Sequence, residues 1–145
     1  MRARSEASTR MSESTRVGTV VTHRRYVPYS HAHYAGNLVD GAYSLGLFGD
    51  VATELCIQLD GDEGLFASYS DVQFKAPVRA GDVLEITATL VRAGTRSRVM
   101  DFVVSVVARG AATPEAPGAA ATLTPPEVAT TATGTVVVPA VPSDD

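Results

Sequence analysis

The stretch from residue 37 to residue 59 constrains this chain more than any other. Leu38, Ala42, Leu45, Gly49, Ala52 and Cys56 recur at spacings of four and three, which at ~100° per residue places them on one face of a helix. Asn37 is positioned to cap that helix by accepting from a free backbone N–H. Asp60-Gly61-Asp62 has the turn chemistry that stops it. Gly41, Gly46 and Gly49 interrupt the helix, each at a cost of roughly 1 kcal/mol against Ala. The simplest reason to keep them is another backbone packed where a side chain would clash. Phe48, Val51 and Leu55 lie off the first face, so the helix is apolar over much of its girth. A helix of that kind is wrapped by other structure.

The remaining chain supplies the wrapping. Residues 17–28 are rich in β-branched and basic types and end at Pro28, which reads as a first strand. Residues 65–74 form a second, ended by Pro77. In 83–91, Leu84, Ile86, Ala88 and Leu90 alternate with Glu85, Thr87 and Thr89. In 98–108, Met100, Phe102, Val104 and Val106 share one face. Ala80-Gly81-Asp82 and Ala93-Gly94-Thr95 turn the chain between these runs. The β-branched run 134–139 completes the set. The order implies an α+β architecture, an antiparallel sheet of about five strands round one long central helix. A single sheet layer leaves an exposed edge and an apolar flank, and pairing two copies would cover both.

Composition narrows the class. A chain of 145 residues with 45% apolar and 19% charged residues is one globular domain rather than a disordered chain. A net charge of −4 gives no basic footprint for nucleic acid. No apolar run approaches the ~18–20 residues of a membrane span. Cys56 is the only cysteine, so no intrachain disulfide forms, and its apolar surroundings read as a buried structural thiol in a cytoplasmic protein. Residues 1–15 read as a disordered N-terminal tail without the apolar core of a signal peptide. Residues 16–140 read as the domain, and 141–145 as a fraying C-terminal tail. Within the domain, 110–127 reads as an Ala/Pro-rich loop, because Pro114, Pro117, Pro125 and Pro126 oppose helix and central strand.

The helix entry, His33-Tyr-Ala-Gly36-Asn37-Leu-Val-Asp40-Gly41, resembles that of the hotdog fold of CoA-thioester enzymes. So does the strand junction Val72-Gln-Phe-Lys-Ala-Pro-Val-Arg-Ala-Gly-Asp82. Three blocks in order carry a closer resemblance: Ala32-His-Tyr-Ala-Gly-Asn-Leu-Val-Asp-Gly41, Phe48-Gly-Asp-Val-Ala-Thr-Glu-Leu55 and Asp60-Gly-Asp-Glu-Gly-Leu-Phe66. They are similar to the 3-aminobutyryl-CoA ammonia-lyases of lysine fermentation and their β-alanyl-CoA relatives. The resemblance implies a homodimer or larger assembly, up to a hexamer. It implies an acyl-CoA thioester and ammonia as substrates, with CoA as part of the substrate and no other cofactor. The implied reaction is reversible elimination of ammonia from a 3-aminoacyl-CoA, 3-aminobutyryl-CoA to crotonyl-CoA. An acyl-CoA thioesterase and a non-catalytic CoA-thioester binding protein are the alternatives on the same scaffold.

Such a reaction needs donors for the thioester oxygen as enolate charge develops, a base for the α-proton, and a group that recognises the ammonium. The helix N-terminus suits the first role, with backbone N–H groups around Gly36 and Asn37 as donors and Tyr34 and Asp40 beside them. His31, His33, Asp40, Asp50, Glu54 and Glu63 are the candidate bases. His33 stands just before the helix, where many hotdog enzymes place a polar catalytic side chain, and an imidazole suits proton transfer. Asp50 and Glu54 are four residues apart and share one side of the helix. We expect Glu54 and His33 to move the proton and Asp50 to support them or bind the ammonium. Arg96 and Ser97 match the place where hotdog proteins meet the CoA arm, and Arg79 lies in the basic set that could meet its phosphates. His23, His31 and His33 have no ligand spacing that supports a metal site.

Overall fold

A computed structural model describes residues 16–140; the tails expected at 1–15 and 141–145 lie outside the described residues. The elements run in chain order as β1 (Val20–Tyr26), two single 3₁₀ turns (Tyr29–His31 and Ala35–Asn37), α1 (Gly41–Asp60), β2 (Leu65–Phe74), β3 (Val83–Ala93), β4 (Ser97–Gly110) and β5 (Ala120–Val137). The five strands form one antiparallel sheet in the order β1-β3-β4-β5-β2. The helix lies against one face of it.

The strand faces follow the alternation in the sequence. Leu84, Ile86, Ala88 and Leu90 of β3 and Met100, Phe102, Val104 and Val106 of β4 are all buried beneath α1. Phe48 of the helix stacks on Phe102 with ring centroids 5.0 Å apart. The buried stripe of α1 is rotated from the expected one. Leu47, Phe48, Val51, Leu55 and Leu59 carry it, together with Ala52 and Cys56, while Ala42 is exposed and Leu45 and Gly49 are only half-buried. Burial follows apolar area, at ~25 cal/mol per Å², so Leu47, Phe48, Val51, Leu55 and Leu59 set the buried face, and Ala52 and Cys56 fall within it.

The start of the helix also differs. Asp40, not Asn37, is the N-cap residue, and α1 begins at Gly41. Gly36 and Asn37 adopt left-handed conformations at φ 74° and 61°, which no helix accepts. Leu38 is extended and bridges to Tyr34 and Arg79, and the Val39 N–H donates to the Val78 carbonyl at 2.9 Å. Backbone pairing with 78–79 thus occupies residues that local periodicity assigned to the helix. The stop is as expected. Gly61 sits at φ 66° and its N–H donates to the Ile57 carbonyl, the left-handed closure that glycine permits. Of the three helix glycines, only Gly41 lies under a close neighbour, the Phe74 ring; Gly46 and Gly49 face open space within this chain.

The tract expected as a loop over 110–127 is mostly strand. Only 111–119 connects β4 to β5, and β5 runs through Pro125 and Pro126 between β4 and β2. A bulge accommodates the prolines. Ser105 and Val106 pair with Val128 and Glu127, Ala108 pairs with Thr122, and residues 123–126 have no ladder partner. Proline's missing N–H is tolerated at such a bulge.

Candidate active site

Among the described residues, a cavity of about 470 Å³ opens at the N-terminal end of α1. Val39, Asp40, Gly41, Ala42 and Ser44 form its helix side, with Tyr34 at the rim. Phe74, Ala76, Pro77, Val78 and Thr130 form the opposite wall. The Asp40 side chain makes no capping hydrogen bond. The first helical N–H groups have no intrahelical carbonyl to meet, so the positive end of the helix and an uncommitted carboxylate face one space. Ser44, only 2% exposed, lies one turn after Asp40 and shares its side of the helix.

Pairing around the cavity holds this helix end in place. The His33 and Tyr34 N–H groups both donate to the Leu38 carbonyl, at 2.8 and 2.9 Å, and the Ala80 N–H donates to the Asn37 carbonyl at 2.9 Å. The positive φ at Gly36 and Asn37 makes the tight reversal that brings Leu38 back to Tyr34. On the far wall, the Arg79 N–H donates to Asp82 Oδ2 at 2.8 Å. Arg109 donates to both Asp82 oxygens and, through Nη2, to the Pro77 carbonyl at 2.9 Å.

The structure sorts the expected site residues into two ends of the domain. Tyr34 and Asp40 line the cavity. His33 is next to it in sequence, exposed, with its ring edge-on to Tyr34 at 4.5 Å. Gly36, Asn37 and Arg79 belong to the backbone frame behind the helix entry, and the helix donors move from Gly36 and Asn37 to Gly41 and Ala42 because α1 starts later. Asp50 and Glu54 are not at this end. Glu54 is fourteen residues beyond Asp40, about 20 Å along the axis. It pairs with His23 Nε2 at 2.6 Å and accepts from Gln58 at 3.1 Å. Asp50 faces Arg25 at 3.5 Å. Both acids are exposed on the flank beside β1. Arg96 and Ser97 are also remote. Ser97 pairs with Val137, whereas cavity-lining Thr130 pairs with Val104, seven residues along β4 and about 20 Å away. Arg96 Nε donates to the Val138 carbonyl at 3.1 Å. One protomer therefore does not bring His33 and Glu54 together. His31, exposed, rests against Tyr43 with ring centroids 4.6 Å apart.

Ser44, Phe74 and Thr130 escaped the sequence reading. Ser44 carried a signal, a lone hydroxyl one turn after Asp40 in an apolar helix. Phe74 and Thr130 had none, because only sheet pairing brings them together, at Phe74↔Thr130. Cys56 is no nucleophile. Burial, with Asp60 nearby, pushes its thiol up to about 11. No group of three His, Cys, Asp or Glu residues that could hold a metal exists among the described residues. No helix there is long and apolar enough to cross a membrane.

Comparison with known proteins places this geometry. Residues 36–110 match the thioesterase superfamily. The 3-aminobutyryl-CoA ammonia lyase of Acetoanaerobium sticklandii is 59% identical over 71 residues, 49% of this chain and 56% of that protein. The chain therefore spans little more than half the length of that curated relative in the match. The structure of β-alanyl-CoA:ammonia lyase from Clostridium propionicum aligns over 84% of this chain and 86% of its own, at 37% identity and a TM-score of 0.79. A hexameric thioesterase from Yersinia pestis shares the fold, at 16% identity and a TM-score of 0.66 over 84% of this chain and 88% of its own. The long helix set on a five-stranded antiparallel sheet and these matches agree that the chain belongs to the hotdog thioesterase superfamily and, within it, to the family of the 3-aminobutyryl-CoA and β-alanyl-CoA ammonia-lyases.

Proposed function

We propose that the protein is a C–N lyase that eliminates ammonia from a 3-aminoacyl-CoA, converting 3-aminobutyryl-CoA to crotonyl-CoA reversibly. The observation that carries this reading is the cavity in which the uncapped start of α1 and the Asp40 carboxylate meet. The N–H groups of Gly41 and Ala42 hold the thioester oxygen, where the helix dipole stabilises the charge that develops. Asp40 takes the α-proton. The electron pair of that C–H bond forms the α,β double bond, and the β-carbon–nitrogen bond breaks with its pair leaving on nitrogen. An ammonium substituent departs as ammonia, and the proton taken by Asp40 then passes to solvent or to the released ammonia. Tyr34, Ser44 and Thr130 supply hydroxyl oxygens that accept from the substrate ammonium.

The assembly follows from the sheet edge. Leu65 and Phe74, at the ends of edge strand β2, are 77% and 59% exposed, and a second copy paired there covers them. Pairing at β2 does not by itself bring Glu54 and Asp50 to a shared site, because both lie beside β1 at the opposite edge of the sheet; a further contact in a larger assembly is needed for them, and for His33, to reach a partner's cavity. Arg79 is the CoA-phosphate ligand nearest the mouth, and Arg96 and Ser97 serve the CoA arm only across subunits. No cofactor beyond the CoA of the substrate enters this scheme, and the cytoplasm is its compartment.

The superfamily match favours a second reading, an acyl-CoA thioesterase in which water attacks the carbonyl held at the same helix end. Incubating the purified chain with crotonyl-CoA and ammonium separates the readings. Gain of one ammonia in the mass spectrum of the thioester is the expected result. Release of free CoA thiol without the amine product supports the thioesterase. Binding with neither product supports a non-catalytic CoA-thioester binder.

A further inference from the structure

We infer that Phe74 limits the length of the acyl chain the cavity accepts, by standing over the helix entry in the space that Gly41 leaves free. This rests on the acyl-CoA reading of the site. A Cβ added to Gly41 would lie 2.7 Å from Phe74 Cζ and 3.0 Å from Cδ1, closer than side chains pack. Gly41 and Phe74 are thus a matched pair, an absent side chain and a ring occupying its place. Both line the cavity.

Apart from Tyr34 at the rim, the rest of the wall is smaller. Ala42, Ala76 and Pro77 add little bulk, and Val39 and Val78 are tied back by the hydrogen bond between their backbones. Phe74 itself ends edge strand β2 and is 59% exposed. Within one protomer a ring so exposed contributes little to the core; its close neighbour is Gly41 at the helix entry. A thioester whose oxygen meets the N–H groups of Gly41 and Ala42 directs its acyl chain into the space beside that ring. Discrimination by an apolar wall is worth about 10–200-fold per methylene, enough to separate four carbons from eight.

The test is equilibrium binding of the unreactive saturated thioesters butyryl-CoA and octanoyl-CoA to the full chain. The wild type is expected to prefer butyryl-CoA by about tenfold or more, and Phe74→Ala to reduce that ratio by about tenfold. Phe74→Leu falls between and reads the same ratio if the Ala variant does not fold. In the Phe74→Ala background, Gly41→Ala refills the cleared space with a methyl group and restores part of the preference. An unchanged ratio in folded Phe74→Ala or Phe74→Leu, or a wild type indifferent to chain length, overturns the inference. The lyase reading fails separately, through absence of ammonia addition to crotonyl-CoA, and leaves the binding ratio as informative as before. A wild type that binds neither thioester overturns both.

Discussion

Asp82 and Arg109 clamp the wall of the cavity. The Asp82 carboxylate is 1% exposed and takes hydrogen bonds from Arg109 Nε at 2.9 Å and Nη2 at 2.8 Å. Asp82 Oδ2 also accepts from the Arg79 N–H, and Arg109 donates to the Pro77 carbonyl. Arg109 of β4, through Asp82 just before β3, thus holds the 77–82 turn, which in turn pairs with Leu38 and Val39 before the helix.

Removing one partner of this pair leaves a buried charge uncompensated. Arg109→Ala leaves the Asp82 carboxylate, 1% exposed, without its cation and is expected to destabilise the fold by about 3 kcal/mol, read as a lowered urea midpoint. Asp82→Ala should cost less stability, because the guanidinium it leaves behind is partly exposed and keeps Glu127 at the surface. A destabilisation below about 1 kcal/mol for Arg109→Ala would contradict the clamp.

Asp60 closes α1 inside a second buried cluster, with Arg98 at 2.8 Å and Arg16 at 2.7 Å. Burial alone raises its carboxyl, but hydrogen bonds from Arg98 and Arg16 and their charges outweigh that and hold it below the ordinary carboxylate range. A depressed folded-state pKa stabilises the protein fully above the unfolded value of ~3.9. That stability is lost as the pH falls through the folded value. Denaturant midpoints measured from pH 6 down to pH 2 should drop below about pH 4, and Asp60→Asn should flatten this slope while lowering stability at neutral pH.

The proposed base makes a kinetic prediction. Asp40→Asn keeps the size of the side chain but removes its basicity, and is expected to lower kcat for ammonia addition to crotonyl-CoA by about 10²–10⁴. Affinity for butyryl-CoA should be little changed, because the helix donors remain. A variant with wild-type turnover transfers the role to another residue, and the same assay on His33→Ala and Glu54→Gln identifies it.

Cys56 is buried and its thiol is raised to about 11, so little thiolate exists at neutral pH. A disulfide-exchange reagent such as Ellman's should leave the native protein unlabelled for as long as it stays folded and titrate one thiol in denaturant. Rapid native labelling would show that the helix opens from the sheet.

Particular residues show how far local pattern reaches. The alternation from Leu84 to Leu90 named its strand and its buried face correctly, since period-two burial is a property of the strand itself. The helix stop at Gly61 was equally legible, because left-handed closure needs only one glycine in place. The helix start was not. Asn37 looks like a cap until Leu38 and Val39 pair with 78–79 across forty residues. Pro125 and Pro126 look like loop until a bulge opposite Ser105 and Val106 admits them to the sheet.

By itself, then, the order of residues determined the single long helix among strands, where that helix stops, and the blocks that tie the chain to its family. The first two depend on periodicity or turn chemistry within a few neighbouring positions, and the third on likeness to known sequences. Only the tertiary structure decided that the helix opens at Asp40 and that Phe74 and Thr130 face it across a cavity. It also set Glu54 and Ser97 at the other end of the domain. Those outcomes rest on backbone pairing and packing between distant segments, and no local pattern encodes which distant partner a residue will meet.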